Sequence, residues 1–189
     1  SPMLRLISWF EKKCSHSLQS VHQTSLFLPE EDYLGLLPFG GCFLMVLLFP
    51  KARWVWRLGH FSRDLEIATQ DRLLLAYKGL LQRHLYFRGE GKTLLSKNPT
   101  FCAWLPRLVD EFPDSCFLAL TRSPTEIVPS QLSSVREGLQ WFGNDPQDPE
   151  IRDAFLNLLA DYNAVMQKTL QDLPNSRYNL VNYVRLKTS

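Results

Sequence analysis

Two short polar stretches carry the residues of this chain that could do chemistry. Lys97 and Asn98 follow one apolar segment, and Arg122 and Ser123 follow another. An arginine can fork two hydrogen bonds onto a phosphate, and a lysine offers a mobile positive charge. Both stretches are therefore the first places to look for contacts with an anionic ligand.

The residues after Arg122 predict a helix that starts directly at the end of a buried strand. Ser123 is suited to cap this helix, Pro124 to be its first residue and Glu126 to complete a capping box. The free N–H groups at that helix start would face the ligand-binding side. Ser130 lies two turns further and projects from a similar side. These features favour an anion on Arg122, with an ion pair to a carboxylate as the alternative.

The elements that must position these residues read as strand, helix, strand and helix over residues 93–134. Residues 93–96 predict a short buried strand, and Thr100 is suited to cap the helix that follows. Residues 116–120 are an unbroken apolar run, typical of a central parallel strand covered on both faces. Because ligands bind outside the carboxyl ends of parallel strands, both polar stretches fall where a site is expected. The predicted fold class is α/β, with a parallel sheet flanked by helices.

Three more elements complete the prediction. A long helix is expected over 64–88, an amphipathic helix capped by Asp148 over 149–172, and a final strand over 177–184. We see no repeat and no linker, so we expect a single domain over 1–189.

Residues 34–50 are the most hydrophobic stretch and approach the roughly 20 residues of a membrane span. Pro38 and the pair Gly40–Gly41 interrupt them. We therefore expect a buried core helix here rather than a membrane helix.

Composition excludes some partners. The net charge is +2, and the 21 basic residues are scattered, so no nucleic-acid partner is expected. Cys14, Cys42, Cys102 and Cys116 form no CxxC pair and have no histidine at metal-ligand spacing. We expect free thiols, with the last three buried, and a cytoplasmic protein without a metal; disulfides and a metal are the alternatives.

Two further patterns have competing interpretations. Residues 30–32 form an acidic cluster that suits a helix N-terminus better than a general base. Residues 91–93 read Gly-Lys-Thr, the end of a nucleotide-hydrolase phosphate loop. Tyr86 stands where that loop needs a glycine, so we predict a helix stop and a turn instead.

The central stretch resembles the sulfotransferase family, and it looks closest to the bacterial group related to the tyrosylprotein sulfotransferases. The resemblance rests on Lys97-Asn98-Pro99, on Phe112-Pro113-Asp114-Ser115, and on Arg122-Ser123-Pro124 followed by Ser130. Weaker similarity covers 29–32, 49–57 and 180–186. The family implies a P-loop-hydrolase-like fold and transfer of a sulfuryl group from 3′-phosphoadenosine-5′-phosphosulfate (PAPS) to a hydroxyl or amine. It also implies a nucleotide cosubstrate and an acceptor, with no metal.

The resemblance also implies roles for individual residues. Arg122 and Ser130 would hold the 3′-phosphate of PAPS, and Tyr183 would contact the same phosphate region. Lys97 would lie near the sulfuryl group and neutralise charge in the transition state. No motif identifies the acceptor or the oligomeric state.

The chain departs from the family pattern in several places. An R-S-G-T-T-like turn, which would hold the 5′-phosphosulfate, and a closing C-terminal segment are not found, so the domain is expected to be truncated at both ends. Ser123 replaces the usual aspartate, and Glu30, Glu31 and His22 are the only guesses for a general base. A non-catalytic module that keeps only the 3′-phosphate half of the site is therefore an alternative. An unrelated nucleotide-binding α/β protein is a third.

Overall fold

A computed structural model describes residues 32–89 and 91–183. Helices and strands follow one another in the order α1 (Tyr33–Leu36), α2 (Arg53–Gly59), α3 (Phe61–Asp64), α4 (Ile67–Arg88), α5 (Phe101–Glu111), β1 (Phe117–Thr121), α6 (Pro124–Trp141), α7 (Pro149–Gln171) and β2 (Tyr178–Asn182). Three short 3-10 helices lie at Leu37–Phe39, Phe43–Leu47 and Asn175–Arg177.

The two strands form a small parallel sheet. Phe117 lies opposite Tyr178, and Thr121 lies opposite Asn182. The connection between the strands runs through α6 and α7, since parallel neighbours require a long crossover. The predicted α/β class with parallel strands is therefore confirmed, and the final strand lies within the predicted range. The P-loop-hydrolase-like topology stays a prediction.

The strand predicted at 93–96 is not present. These residues pair with no strand in the described part of the chain, and Leu95 is 89% exposed. A strand is defined by a partner that takes its backbone hydrogen bonds, which a local apolar pattern cannot supply. The segment leads instead directly into Asn98 and the start of α5.

The prediction that the second strand is covered on both faces is also wrong for the described residues. On one face Ala119 is buried against Leu105 of α5 and Leu170 of α7. On the other face Leu118 and Leu120 are 60% and 50% exposed. The apolar run therefore predicted the strand but not the layers that cover it.

The main core lies among α2 to α5, the N-terminal part of α7 and the 3-10 helix at Phe43–Leu47. The rings of Phe61 and Trp104 stack with their centroids 3.8 Å apart. Trp56 packs edge-on against Phe155 of α7 at 5.0 Å, and its indole N–H donates to the Pro50 carbonyl at 2.7 Å. These contacts join α2, α3, α5 and α7 into one packed unit that supports the sheet.

Residues 34–50 do not form the predicted core helix. They fold as the single turn of α1 and two 3-10 helices, because Pro38 and the Gly40–Gly41 pair interrupt the helical pattern. Gly40 adopts φ +72°, a conformation that glycine tolerates best, and ends the first of the two 3-10 helices. Within the described residues, no helix is long and apolar enough to cross a membrane.

The start of α7 is set by the predicted residues, and the start of α4 is not. The Asp148 carboxylate accepts the Glu150 N–H at 2.9 Å, and Pro149 is the first residue of α7. The predicted helix at 64–88 begins three residues later, at Ile67, because α3 and an extended Leu65 come before it.

The three described cysteines are free thiols, but they are not equally buried. Cys42 is buried, Cys102 is half-buried and Cys116 is exposed, so the prediction of three core cysteines is wrong in part. Burial raises the pKa of the Cys42 thiol, and it raises the pKa of Cys102 to about 11. Cys14 lies outside the described residues.

Candidate functional site

The junction between β1 and α6 has the predicted form. The Ser123 hydroxyl caps the helix by accepting the Thr125 N–H at 3.3 Å, and Pro124 is the first helical residue. The cap therefore bonds Thr125 rather than Glu126, the residue of the predicted capping box. The 18-residue helix α6 starts three residues after β1 ends and leaves Arg122 between them.

The structure brings Arg122 and Tyr183 together. The register of the sheet pairs Thr121 with Asn182, so the next residue of each strand must lie side by side. The Arg122 guanidinium carbon lies 3.7 Å from the centre of the Tyr183 ring, within the range of a cation–π contact. Two residues 61 positions apart are thus joined by backbone pairing.

The Arg122 side chain still has an unused donor. Its Nε is buried and has no hydrogen-bond partner within the described residues, and no carboxylate there forms an ion pair with it. A buried donor without an acceptor costs about 1–3 kcal/mol. The ion-pair alternative for Arg122 therefore has no support in the described part of the chain, and an anionic ligand could supply the acceptor.

Ser130 lies on α6 two turns beyond Ser123, as predicted, and is exposed. Within the described residues, no hydrogen bond joins it to Arg122. Ser130 therefore shares the helix of the site, while its contribution to binding stays a prediction.

The first junction leads from the extended segment into α5. Lys97 is exposed, whereas Asn98 is only 9% exposed. The Asn98 side-chain carbonyl accepts the Thr100 N–H at 3.0 Å and the Thr100 hydroxyl at 2.8 Å. The cap of α5 is thus made by the Asn98 side chain, and Thr100, the predicted cap, makes no side-chain cap bond. The helix nevertheless starts at Phe101, directly after Thr100, as predicted.

Asn98 resembles Arg122 in having an unused buried donor. With its Oδ1 engaged by Thr100, the Asn98 Nδ2 is buried and has no hydrogen-bond partner within the described residues. Each of the two junctions therefore contains one buried N–H donor that lacks an acceptor within the described residues: Nδ2 of Asn98, beside Lys97, and Nε of Arg122 itself. Oxygen atoms of a phosphate or sulfate group are acceptors of the kind that both junctions lack.

Two hydroxyl groups near Lys97, those of Tyr77 and Ser96, were missed by sequence reasoning, whereas Asp32 belongs to the predicted acidic cluster. The Tyr77 and Ser96 hydroxyls donate to the same Asp32 carboxylate oxygen, Oδ2, at 2.9 and 2.5 Å, and the two hydroxyl oxygens lie 2.7 Å apart. The Asp32 N–H also donates to the Lys97 carbonyl at 3.4 Å. Asp32 stands at the start of α1 without a side-chain cap bond, so its carboxylate serves this cluster instead. Only the predicted acidic stretch pointed to this place.

The remaining sequence patterns have simpler outcomes. Gly91 has φ +69°, and Lys92 N–H donates to the Gly89 carbonyl at 2.8 Å, so the Gly-Lys-Thr stretch is the predicted turn. No group of three or more His, Cys, Asp or Glu side chains within the described residues could hold a metal. Glu30, Glu31 and His22 lie outside those residues.

A cation beside a helix start, at the carboxyl end of a parallel strand, is an arrangement that binds anions in α/β proteins. Residues 51–188 match the model of the sulfotransferase family, and the chain belongs to that family. Membership implies a PAPS-type sulfuryl donor, a nucleotide cosubstrate and an acceptor. No curated protein and no solved structure matches the chain.

Proposed function

We propose that this chain binds PAPS and transfers its sulfuryl group to a hydroxyl or amine acceptor. The observation that carries the proposal is Arg122: it lies at the start of α6, stacks on Tyr183 and keeps a buried Nε donor without an acceptor. Family membership gives the reaction class, and this geometry supports a phosphate position.

The 3′-phosphate of PAPS is assigned to the second junction, the one between β1 and α6. Arg122 donates to its oxygens, and Ser130 and the N-terminal end of α6 supply further donors. The Tyr183 ring stacks on the Arg122 guanidinium and leaves the edge with its N–H groups for the phosphate. The arrangement suits a dianionic group because every assigned side chain is a donor or a cation, and no carboxylate pairs with Arg122 in the described part of the chain.

The sulfuryl end of PAPS is assigned to the first junction. During transfer, the acceptor oxygen or nitrogen bonds to sulfur while the bond from sulfur to the 5′-phosphate oxygen breaks. Negative charge then grows on the 5′-phosphate, which leaves as part of adenosine 3′,5′-bisphosphate. Lys97 neutralises that charge, and the unused Asn98 Nδ2 is a second donor beside it. The acceptor proton passes to a base that the described residues do not identify.

A non-catalytic module is the second candidate. It would keep the 3′-phosphate site at Arg122 and lack transfer. The contact between Arg122 and Tyr183 supports that site and does not by itself require transfer.

Calorimetric titration with adenosine 3′,5′-bisphosphate tests the binding site. We expect measurable binding by the wild-type protein and at least tenfold weaker binding by Arg122→Ala, which corresponds to about 1.4 kcal/mol. Arg136→Ala is the matched control, because Arg136 is an exposed arginine on the same helix. No binding by the wild-type protein would sink the cofactor site. Transfer from labelled PAPS to an acceptor panel then separates the enzyme from the non-catalytic module.

A further inference from the structure

Burial and packing hold the Tyr77 hydroxyl in place beside the first junction, where the extended segment leads into α5. Tyr77 lies on the 22-residue helix α4 and is 3% exposed. Its ring packs edge-on against Phe101 at 4.9 Å and Phe112 at 6.3 Å, at the two ends of α5. An ion pair between Lys78 and Glu111, 2.7 Å long, also joins these two helices. Burial raises the pKa of Tyr77, so its hydroxyl stays a neutral hydrogen-bond donor throughout the physiological pH range.

The segment that leads to Lys97 lacks the usual support of a strand. No sheet ladder holds residues 93–96 within the described chain. Asp32 supplies two bonds at the end of this segment: its carboxylate accepts the Ser96 hydroxyl, and its N–H donates to the Lys97 carbonyl at 3.4 Å. The same carboxylate is anchored to α4 through Tyr77. This group of side chains therefore ties the backbone at Lys97 to α4.

We propose that Asp32, Tyr77 and Ser96 form a clamp that positions Lys97 toward the 5′-phosphate end of the nucleotide. The inference rests on the proposed function, which assigns Lys97 to that end. Asp32 is then a positioning residue, because its Oδ2 accepts hydrogen bonds from both hydroxyls. Hydrogen bonds to a charged group are among the stronger ones, which suits a clamp.

Tryptic cleavage tests the clamp without requiring any activity. Cleavage after Lys97 is compared with cleavage after Lys92, which lies in the exposed turn upstream. We expect the ratio of the two rates to rise about tenfold in Tyr77→Phe and in Ser96→Ala, because each loses a bond to the Asp32 carboxylate. Tyr86→Phe is the matched control, since Tyr86 lies on the same helix and is 86% exposed.

Nucleotide affinity tests the positioning role. Adenosine 3′,5′-bisphosphate and adenosine 3′-monophosphate differ only by the 5′-phosphate, so the ratio of their dissociation constants measures what that phosphate contributes. We expect Lys97→Ala to lower the preference for the bisphosphate about tenfold, and Tyr77→Phe and Ser96→Ala to lower it three- to tenfold. Arg122→Ala should weaken both ligands and leave the ratio unchanged.

The outcomes separate the two proposals. If the wild-type protein binds neither nucleotide, the proposed function fails, and the cleavage ratio still decides whether the clamp holds Lys97. An unchanged cleavage ratio in both clamp variants overturns the clamp. A changed cleavage ratio with an unchanged nucleotide preference overturns the positioning role. Ser96→Thr keeps the hydroxyl and should restore both readouts, which a merely local packing defect at Ser96 would not allow.

Discussion

The stack between Arg122 and Tyr183 gives a quantitative prediction. Replacing Tyr183 by leucine removes the ring that lies 3.7 Å from the guanidinium and leaves Arg122 free to adopt other rotamers. Immobilising such a side chain on binding costs about 0.5–1.5 kcal/mol. The affinity for adenosine 3′,5′-bisphosphate should therefore fall roughly 2- to 13-fold. Tyr183→Phe keeps the ring and should bind within about twofold of the wild-type protein.

Calorimetry on the two variants decides between the ring and the hydroxyl. Tyr86→Leu, at an exposed position remote from the sheet in sequence, controls for the loss of a tyrosine. Wild-type affinity in Tyr183→Leu would refute the argument that the stack pre-organises Arg122. Equal losses in Tyr183→Leu and Tyr183→Phe would assign the effect to the hydroxyl and refute the role of the ring.

Two further predictions concern stability and thiol reactivity. Gly59→Ala should lose about 1–3 kcal/mol in urea unfolding, because the new methyl would lie 2.8 Å from Cε2 of the buried Phe43 ring. Gly79→Ala, in an open helical position, should gain about 0.5–1 kcal/mol. Equal effects of the two substitutions would contradict this. Among the three described cysteines, iodoacetamide at pH 8 should label exposed Cys116 first. Cys102, with a pKa of about 11, should react roughly a hundredfold more slowly than an ordinary thiol and faster as the pH rises toward 11, as read by mass spectrometry. Labelling of Cys102 first would contradict that order.

The second junction was predictable because its signals are local. A serine followed by proline after an apolar run specifies both the end of a strand and the start of a helix. The same logic predicted α7 from Asp148 and Pro149, and both caps are present. The meeting of Arg122 with Tyr183 needed more than local signals. Their contact follows from the register of β1 against β2. From the sequence, only the family resemblance placed Arg122 and Tyr183 at the same phosphate.

The errors arise where tertiary context decides. Residues 93–96 have an apolar pattern, but strand formation depends on a partner, and none is present within the described chain. Residues 34–50 are apolar enough for a core helix, but Pro38 and Gly40 divide them into turns. In residues 34–50 hydrophobicity predicted burial, since Leu36, Phe43 and Val46 lie in the core, but not the backbone conformation. In residues 93–96 it predicted neither, as exposed Leu95 shows.

The polar cluster at the first junction could not be read from the sequence. Tyr77 lies 45 positions from Asp32 and 19 from Ser96, and Asp32 lies 64 positions from Ser96. No periodic pattern links such positions, and each residue has an ordinary role by itself. The contacts require α4 and α5 to be packed together, which brings Asp32 and Ser96 next to Tyr77.

The two junctions are therefore built in different ways, and this difference bears on how the activity could be altered. Arg122 is placed by strand pairing, which depends on backbone hydrogen bonds that most substitutions leave intact. The backbone at Lys97 is bonded to Asp32, whose carboxylate is held by two side-chain hydrogen bonds that a single substitution can remove. Changes in the clamp should therefore reduce sulfuryl transfer while the 3′-phosphate is still bound, whereas changes at Arg122 should abolish both together. We therefore expect substitutions to separate binding from transfer, because different physical interactions hold the two proposed halves of the site.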